Sequence, residues 1–210
     1  MREDLERKAT ELYIRVKAMY IYAEETTPQF QNFLQPVFEI NRGFDHLNRV
    51  KAVDLGITVV DKSEEYVVDN LHKAIGHFYR AFFDIVDWLS MDLRESVTEE
   101  FKDFSHTCIG KVMPEYYREI RPEIEEVSKE IARIRAKKDV GNPGTIALME
   151  EYSDLLEELR AKIVKIVKKK PGLTDCEERL RKEQRNSRMW QILIVLVGVI
   201  VTAALTYIFF

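Results

Sequence analysis

The chain has 210 residues, a net charge of −4, and 46% hydrophobic and 32% charged residues. A balance this close to neutral excludes a protein that binds polyanions through its overall charge. Apart from one apolar stretch near the end, roughly 175 residues remain, which is enough for one domain with a hydrophobic core and an extension.

The beginning of the chain predicts two helices. The first covers residues 2–25, and its charged start, MREDLERKATEL, lacks the apolar segment of a signal peptide. Thr27 and Pro28 are typical of a helix start, because threonine caps well and proline suits the first turn. We therefore predict a second helix from there to Val53, with a kink at Pro36.

A loop over 54–62 precedes a third predicted helix over 64–95. Its apolar residues are spaced four and three apart, as in the seam of a helical bundle: Leu71, Ile75, Phe78, Phe82, Ile85 and Leu89. The sequence SVTE at 96–99 has the pattern of a capping box. We therefore expect a break there, followed by a fourth helix to Ile109.

Two further helices have matching heptads and predict an antiparallel hairpin. The first begins at Pro114, and a turn, VGNPG, follows at 140–144. The two seams are Tyr117, Ile120, Ile124, Val127, Ile131 and Ile134 on one helix, and Met149, Tyr152, Leu156, Leu159, Ile163 and Ile166 on the other. Pro171-Gly172 is expected to end the hairpin, and the capping-box pattern TDCE at 174–177 to start a last helix that continues into a bilayer.

Residues 189–210 contain no charged residue and are long enough, as a helix, to cross a hydrocarbon core of roughly 30 Å. Five basic residues precede this span and form a collar: Arg179, Arg181, Lys182, Arg185 and Arg188. Since basic residues stay on the cytoplasmic side, we expect a tail anchor in the inner cell membrane with the amino-terminal part in the cytoplasm. The collar also favours contact with anionic membrane lipid.

The cysteines and the motif content predict no cofactor. Cys108 and Cys176 are far apart in the sequence, and in a cytoplasmic domain we expect no disulfide between them. No Cys/His spacing is typical of zinc, and the motifs GxGxxG, GxxxxGK[ST], GxSxG and HExxH do not occur. We therefore predict no metal, no cofactor and no enzyme.

One side of the span is small or polar, whereas the rest is Val, Leu and Ile. The residues on this face are Gln191, Val195, Gly198, Thr202 and Thr206. They predict either a helix self-association face or the lining of a pore. The stalk 175–188 is too polar to be stable alone. Each observation predicts a homo-oligomer, a tetramer or larger.

A second set of polar residues follows helices two and three. Arg42, His46 and Arg49 share one helix face. On the third helix a second face, below Asn70, carries His77, Arg80, Asp84 and Asp87. If the two helices are antiparallel neighbours, these stripes meet. Three interpretations stay open at this point: a structural ion-pair network, a nucleotide or phosphate site, and catalysis.

The stripes NRGFDHLNR and HFYRAFFDIVDWL, over residues 29–90, resemble the HEPN superfamily of prokaryotic defence proteins. HEPN nucleases use an Arg followed by four to six residues and a His, whereas three residues separate Arg42 and His46. With its terminal anchor, the chain also resembles membrane effectors of antiphage defence, such as the Hailong channel subunit and the membrane accessory of some CRISPR systems. This resemblance implies control by a nucleotide or oligonucleotide and a partner encoded in the same operon.

The sequence as a whole predicts an all-α fold. We expect a helical bundle that senses a signal over 1–110, a hairpin over 111–172, a juxtamembrane stalk over 173–188 and a transmembrane helix over 189–210. The predicted function is that of a homo-oligomeric channel effector in antiphage defence. The alternatives are a membrane-tethered scaffold and a degenerate HEPN ribonuclease.

Overall fold

The computed structural model of the protein describes residues 1–138 and 146–209, without the side chains of 28, 31 and 205–209. The described part contains six α-helices and no strand: α1 Arg2–Thr26, α2 Gln35–Asp54, α3 Ser63–Phe101, α4 His106–Val112, α5 Arg121–Lys137 and α6 Ile146–Phe209. A 3₁₀ turn at Pro28–Asn32 and a π-helical turn at Tyr116–Ile120 complete it. The predicted all-α fold is confirmed, and the predicted turn at 140–144 lies outside the described residues.

Helices α1, α2 and α3 form a bundle around the seam that the sequence predicted. All six seam residues of α3, from Leu71 to Leu89, are at most 2% exposed. Leu12 and Val16 of α1 are fully buried against the same cluster. Burial of each such side chain contributes about 1.5–3 kcal/mol before the entropy cost of folding. The four-three spacing of apolar residues therefore determines this core.

Helices α5 and α6 form the predicted antiparallel hairpin, which packs against α1 and α3. Both seams are largely buried, apart from Tyr117, which is 37% exposed. The antiparallel order is visible in two ion pairs, because Glu123 pairs with Lys162 and Arg133 pairs with Glu151. Lys162 is only 7% exposed, and its ammonium group is held by Glu158 as well as by Glu123.

The sequence misplaced the start of the second helix and came close to the start of the fifth. Pro28 begins only the short 3₁₀ turn, and α2 starts at Gln35 with Pro36 in its first turn rather than at a kink. The first turn of a helix needs no N–H donor from proline, so Pro36 fits there. Pro114 directly precedes a helical segment, because the chain is helical from Glu115 through the π-helical turn and into α5.

The capping box at 96–99 is not used, so the predicted break is wrong. The Ser96 hydroxyl donates to the Leu93 carbonyl, and α3 continues to Phe101. Val97 and Phe101 are buried, so continued burial of this face offsets the weak helix propensity of serine and threonine. The N-cap that is used is Ser105, whose hydroxyl accepts from the Cys108 N–H at 3.2 Å and starts α4.

Pro171-Gly172 does not end a helix either, because α6 continues through Pro171 for 64 residues in all. At 1.5 Å per residue, α6 is about 96 Å long. Thr174 does not cap a new helix, since its hydroxyl donates to the Lys170 carbonyl within α6. Pro171 lies on the exposed side, whereas Leu173 is buried. Packing on that inner side keeps the chain helical despite the missing N–H.

A second hydrophobic cluster fastens α4 to α6. Its buried members are Val97, Phe101, Cys108, Ile109, Met113, Ile120, Ile166 and Leu173. Within it, Cys108 and Cys176 form a disulfide with Cα atoms 5.7 Å apart. The expectation that these cysteines stay unpaired was therefore wrong. It depended on the expected compartment, and the sequence did not predict that α4 packs beside α6.

In the described part of the chain, one helix is long and apolar enough to cross a membrane, and this helix is α6. None of the apolar window is buried inside the protein. Val195, for example, is 64% exposed. This arrangement is compatible with the predicted single membrane anchor.

Candidate functional site

The two predicted polar stripes meet between α2 and α3, which run antiparallel. They meet at Glu39, which is only 3% exposed. Its Oε2 atom accepts from Arg80 Nε at 2.8 Å and lies 2.8 Å from His77 Nδ1, and its Oε1 atom accepts from Arg42 Nη1 at 2.8 Å. We call Glu39, Arg42, His77 and Arg80 the Glu39 network.

Sequence reasoning missed Glu39, although its position carried a signal. Glu39 stands three residues before Arg42 and seven before His46, so it shares their helix face. A carboxylate there supplies the counter-charge that the arginines and histidines lacked in the prediction. It was overlooked because Glu is common on exposed helix faces, and only the packing of α2 on α3 buries it.

The electrostatics of the network keep Glu39 ionised. Burial raises the pKa of Glu39, but the hydrogen bonds from Arg80 and His77 outweigh this and hold that pKa below its usual value. Burial lowers the pKa of His77, and its hydrogen bond to Glu39 opposes the shift without cancelling it. His77 is therefore neutral near pH 7. Its Nδ1 also lies 2.8 Å from Arg80 Nη2, so it donates to Glu39 or accepts from Arg80, one at a time.

His46 belongs to a second layer of this interface. Its Nδ1 lies 2.8 Å from Asn70 Oδ1, and the Asn70 amide donates to the Tyr66 carbonyl, which orients Asn70 as the acceptor. The His46 and His77 rings stack with centroids 5.3 Å apart. His46 is thus close to the Glu39 network but does not share a hydrogen-bond partner with Arg42.

The remaining predicted residues lie at the margins. Arg49 forms an exposed ion pair with Asp45 at 2.7 Å. Asp84 is half-buried, and burial raises its pKa, with Lys138 opposing the shift. Neither residue hydrogen-bonds Glu39 in the described part of the structure. Of the predicted residues, Arg42, His77 and Arg80 therefore contact the Glu39 carboxylate, and His46 stacks beside His77. Arg49 and Asp84 lie apart from this network.

Asp87, predicted to continue the stripe, faces the hairpin instead. It accepts from Tyr152 Oη at 2.8 Å and from Lys138 Nζ at 2.8 Å, and Arg135 Nε lies 3.2 Å away. Tyr152 is fully buried, and burial raises its pKa strongly. This network joins α3 to α5 and α6. Sequence reasoning placed Tyr152 in a hydrophobic seam and did not anticipate the role of its hydroxyl.

The chemistry of the Glu39 network favours the structural interpretation. The Glu39 carboxylate already neutralises part of the positive charge on Arg42 and Arg80. Less positive charge is therefore left to bind a phosphate. No group of three His, Cys, Asp or Glu residues that could hold a metal ion occurs among the described residues. Arg42 and His46 have different partners, which gives no support to their acting together on RNA. Buried networks of this kind fix the register of packed helices.

The predicted membrane face lies on α6 and is covered by no other described part of the chain. Gln191, Val195, Gly198 and Thr202 are all exposed. The Thr202 hydroxyl donates to the Gly198 carbonyl at 2.8 Å. A Cβ atom added at Gly198 meets nothing within 4 Å, so the surface beside it is open. The side chain of Thr206 lies outside the described residues.

Comparisons with known proteins give no relative. No protein family, no curated protein and no solved structure matches the chain. The resemblance to HEPN proteins and to antiphage membrane effectors therefore stays a prediction, and the function is argued from the residues alone.

Proposed function

We propose that the protein is a homo-oligomeric, single-span membrane effector in which copies of the last segment of α6 line an ion-conducting pore. One observation carries this proposal. Helix α6 runs without interruption from the buried core at Met149 to an exposed apolar segment with a small and polar face. A continuous helix transmits motions of the body to the membrane segment.

The polar face supports an oligomer. Gln191 in a hydrocarbon environment is costly unless its amide faces water or a partner helix. Gly198 lets a second helix approach closely, and a threonine such as Thr202 is typical of contacts between membrane helices. Copies of this chain supply such partners, and a ring of copies turns the same face toward a water-filled axis.

The collar supports the proposed orientation. All five collar residues are exposed, and basic residues next to a span favour the cytoplasmic side. The helical body then lies in the cytoplasm and the collar lies against anionic lipid of the inner membrane. We propose antiphage defence as the context from the resemblance of the sequence. The described contacts of the Glu39 network give a nucleotide signal no further support.

The test compares two substitutions that each place a leucine on one of two opposite sides of the span. Gly198→Leu fills the proposed pore face, whereas Ala204→Leu adds a leucine on the opposite side. Each full-length variant is reconstituted in liposomes, and ion flux is measured with an entrapped fluorescent indicator. Growth arrest on expression provides a second readout.

We expect Gly198→Leu to reduce flux by about tenfold or more, because a leucine narrows a pore lined by glycine. Ala204→Leu is expected to leave flux within about twofold, since the lipid side tolerates apolar bulk. If the wild-type chain conducts no ions, or if both variants conduct equally, the pore proposal is wrong. The oligomer is tested separately by counting subunits in a native-like lipid disc.

A membrane-tethered scaffold is the second candidate, and one observation favours it. The loop between α2 and α3 exposes three apolar side chains: Leu55 by 61%, Ile57 by 74% and Val59 by 93%. Helix α3 runs parallel to α6, since Asp87 contacts Tyr152 and Glu100 pairs with Lys170. The loop therefore lies at the end of the body that is remote from the membrane, where a partner protein has access.

The channel and the scaffold predict different results when the membrane segment is replaced by an unrelated one. A scaffold keeps its function when residues 189–210 are replaced by a foreign transmembrane helix, because only attachment is needed. A channel loses its function in the same experiment. Growth arrest that survives the replacement supports the scaffold, and growth arrest that is lost supports the channel.

A further inference from the structure

The disulfide lies near the membrane-proximal end of the contact between the body and α6. Cys108 is fully buried on α4, Cys176 is half-buried on α6, and 68 residues separate them in the sequence. Leu180 is the last half-buried residue of α6, and each described residue from Arg181 to Ala204 is exposed. The bond therefore fastens the body to α6 directly above the collar.

Non-covalent contacts also hold α4 on α6 here, among them the second hydrophobic cluster, which includes Ile109, Met113 and Leu173. The Glu177 carboxylate accepts from the Ser105 N–H at 2.6 Å and from its hydroxyl at 2.5 Å. A Cβ atom at Gly172 would lie 3.1 Å from Val112 Cγ1, so α4 and α6 are in close contact there. The covalent bond adds to these contacts in keeping the seven-residue α4 docked on α6.

The two sulfurs differ in their access to solvent. A cleft of about 290 Å³ opens beside Cys176, and its other lining residues are Lys111, Val112, Gly172, Arg179, Leu180 and Glu183. Cys108 does not line this cleft. Two cations and one carboxylate give the cleft a net positive charge, which favours a small anionic reactant.

We propose that Cys108–Cys176 is a reversible thiol–disulfide exchange site, served through this cleft by a small thiol that carries carboxylates. The incoming thiolate attacks the Cys176 sulfur and forms a mixed disulfide, while Cys108 leaves as a thiolate and takes a proton from water. A second thiolate attacks the mixed disulfide at the sulfur of the small thiol and releases Cys176. In total, two small thiols are oxidised to their disulfide and the two cysteines are reduced.

This inference is independent of the pore. It predicts that the attachment of α4 to α6 depends on the thiol–disulfide balance of the compartment in which the body lies. Where the reduced small thiol is in large excess, the bond opens and α4 is held only by non-covalent contacts. Under oxidising conditions the bond forms and fixes α4 beside the collar.

The experiment uses the full chain in lipid discs, equilibrated with reduced and oxidised glutathione at varied ratios and then trapped with a maleimide. Intact mass should show a reversible two-electron transition, and peptide mapping of the trapped intermediate should find glutathione on Cys176. Hydrogen exchange in α4 should increase on reduction. Glutathione found mainly on Cys108, or cysteines that stay thiols in fully oxidised buffer, would overturn the proposal.

Charge reversal in the cleft gives a sharper test. Lys111→Glu with Arg179→Glu should slow reduction by glutathione, whose thiolate form carries two net negative charges, by about tenfold. The same pair should slow reduction by 2-mercaptoethanol clearly less, because its thiolate carries a single charge. The matched control is Lys168→Glu with Lys169→Glu, which reverses two charges that lie on α6 but not in this cleft. If both thiols slow equally, or if the control pair has the same effect as the cleft pair, the cleft does not select the reactant.

Discussion

At the residue scale, the position that organises the candidate site is a single buried carboxylate. Glu39 holds two arginines and a histidine that the sequence marked as an ion-pair network, a ligand site or a catalytic site. Arg42, His77 and Arg80 were predictable because they are unusual beside aromatic stripes. Glu39 was not, because its burial results from the packing of α2 on α3, which pattern and composition do not contain.

Replacing Glu39 by glutamine should destabilise the protein. The substitution removes the negative charge between Arg42 and Arg80 while keeping the shape, and we expect a loss of about 2 kcal/mol in the free energy of unfolding. The expected loss of unfolding free energy is moderate because the Arg42 side chain is 63% exposed and stays hydrated when its ion pair is removed. Urea unfolding of the full chain in detergent measures it.

Asp45→Asn provides the control, because Asp45 forms only an exposed pair with Arg49 and should cost less than about 0.5 kcal/mol. Equal effects of the two substitutions would show that Glu39 has no special role. Tighter binding of a nucleotide to Glu39→Gln than to the wild type would instead favour the ligand-site interpretation.

The same network predicts that acid destabilises the fold in two steps. His77 has a lowered pKa in the folded protein, so as the pH falls the histidine is protonated in the unfolded chain before it is protonated in the folded one. Its contribution to stability is therefore lost as the pH falls below 6.5, the ordinary pKa of histidine. Glu39 also has a lowered pKa, so its contribution is present above the ordinary value of 4.5 and is lost as the pH falls through the folded pKa. His77→Gln should remove the first step and keep the second. Unfolding midpoints measured across this range, in the wild type and the variant, check both signs.

At the element scale, the sequence predicted the helices better than it predicted their ends. Buried seam residues recur every three or four positions, and this period can be read from the sequence. Helices α1, α3 and α5 follow it, and so does α6 between Met149 and Ile166. Capping boxes at 96–99 and 174–177 failed because Ser, Thr and Glu also fit an exposed helix face. Neighbouring residues such as Phe101 and Leu173 stay buried, and this tertiary packing keeps the helix going.

Pro171 remains a weak point of α6 that packing overcomes. Its nitrogen cannot donate to the Val167 carbonyl, which leaves one helical hydrogen bond unmade. Pro171→Ala restores the bond, and we expect the free energy of unfolding to rise by about 1–3 kcal/mol. Lys169→Ala, on an exposed side of the same turn, should change it by less than about 0.5 kcal/mol. No gain from Pro171→Ala would mean that the proline fits its site without strain.

At the scale of the whole molecule, the protein is a long rod whose body is attached along one side of α6. The sequence predicted an all-α body, a hairpin and a membrane segment, because composition and period carry that information. It ended a helix at Pro171-Gly172, where α6 continues, and it left unpaired two cysteines that the docking of α4 brings together. Both errors concern contacts between distant segments, which periodicity does not encode.

Because α6 is unbroken, it also fixes the rotation of the apolar span about the helix axis relative to the body. Because a helix turns about 100° per residue, one alanine inserted after Arg185 should swing the glycine face away from its neighbours. Seven inserted alanines bring it back to within about 20° while lengthening the rod by about 10 Å. We expect ion flux to survive the insertion of seven alanines but not of one. That result would show that the proposed pore depends on the rotation of the span about its axis relative to the body, and not on the distance of the body from the bilayer.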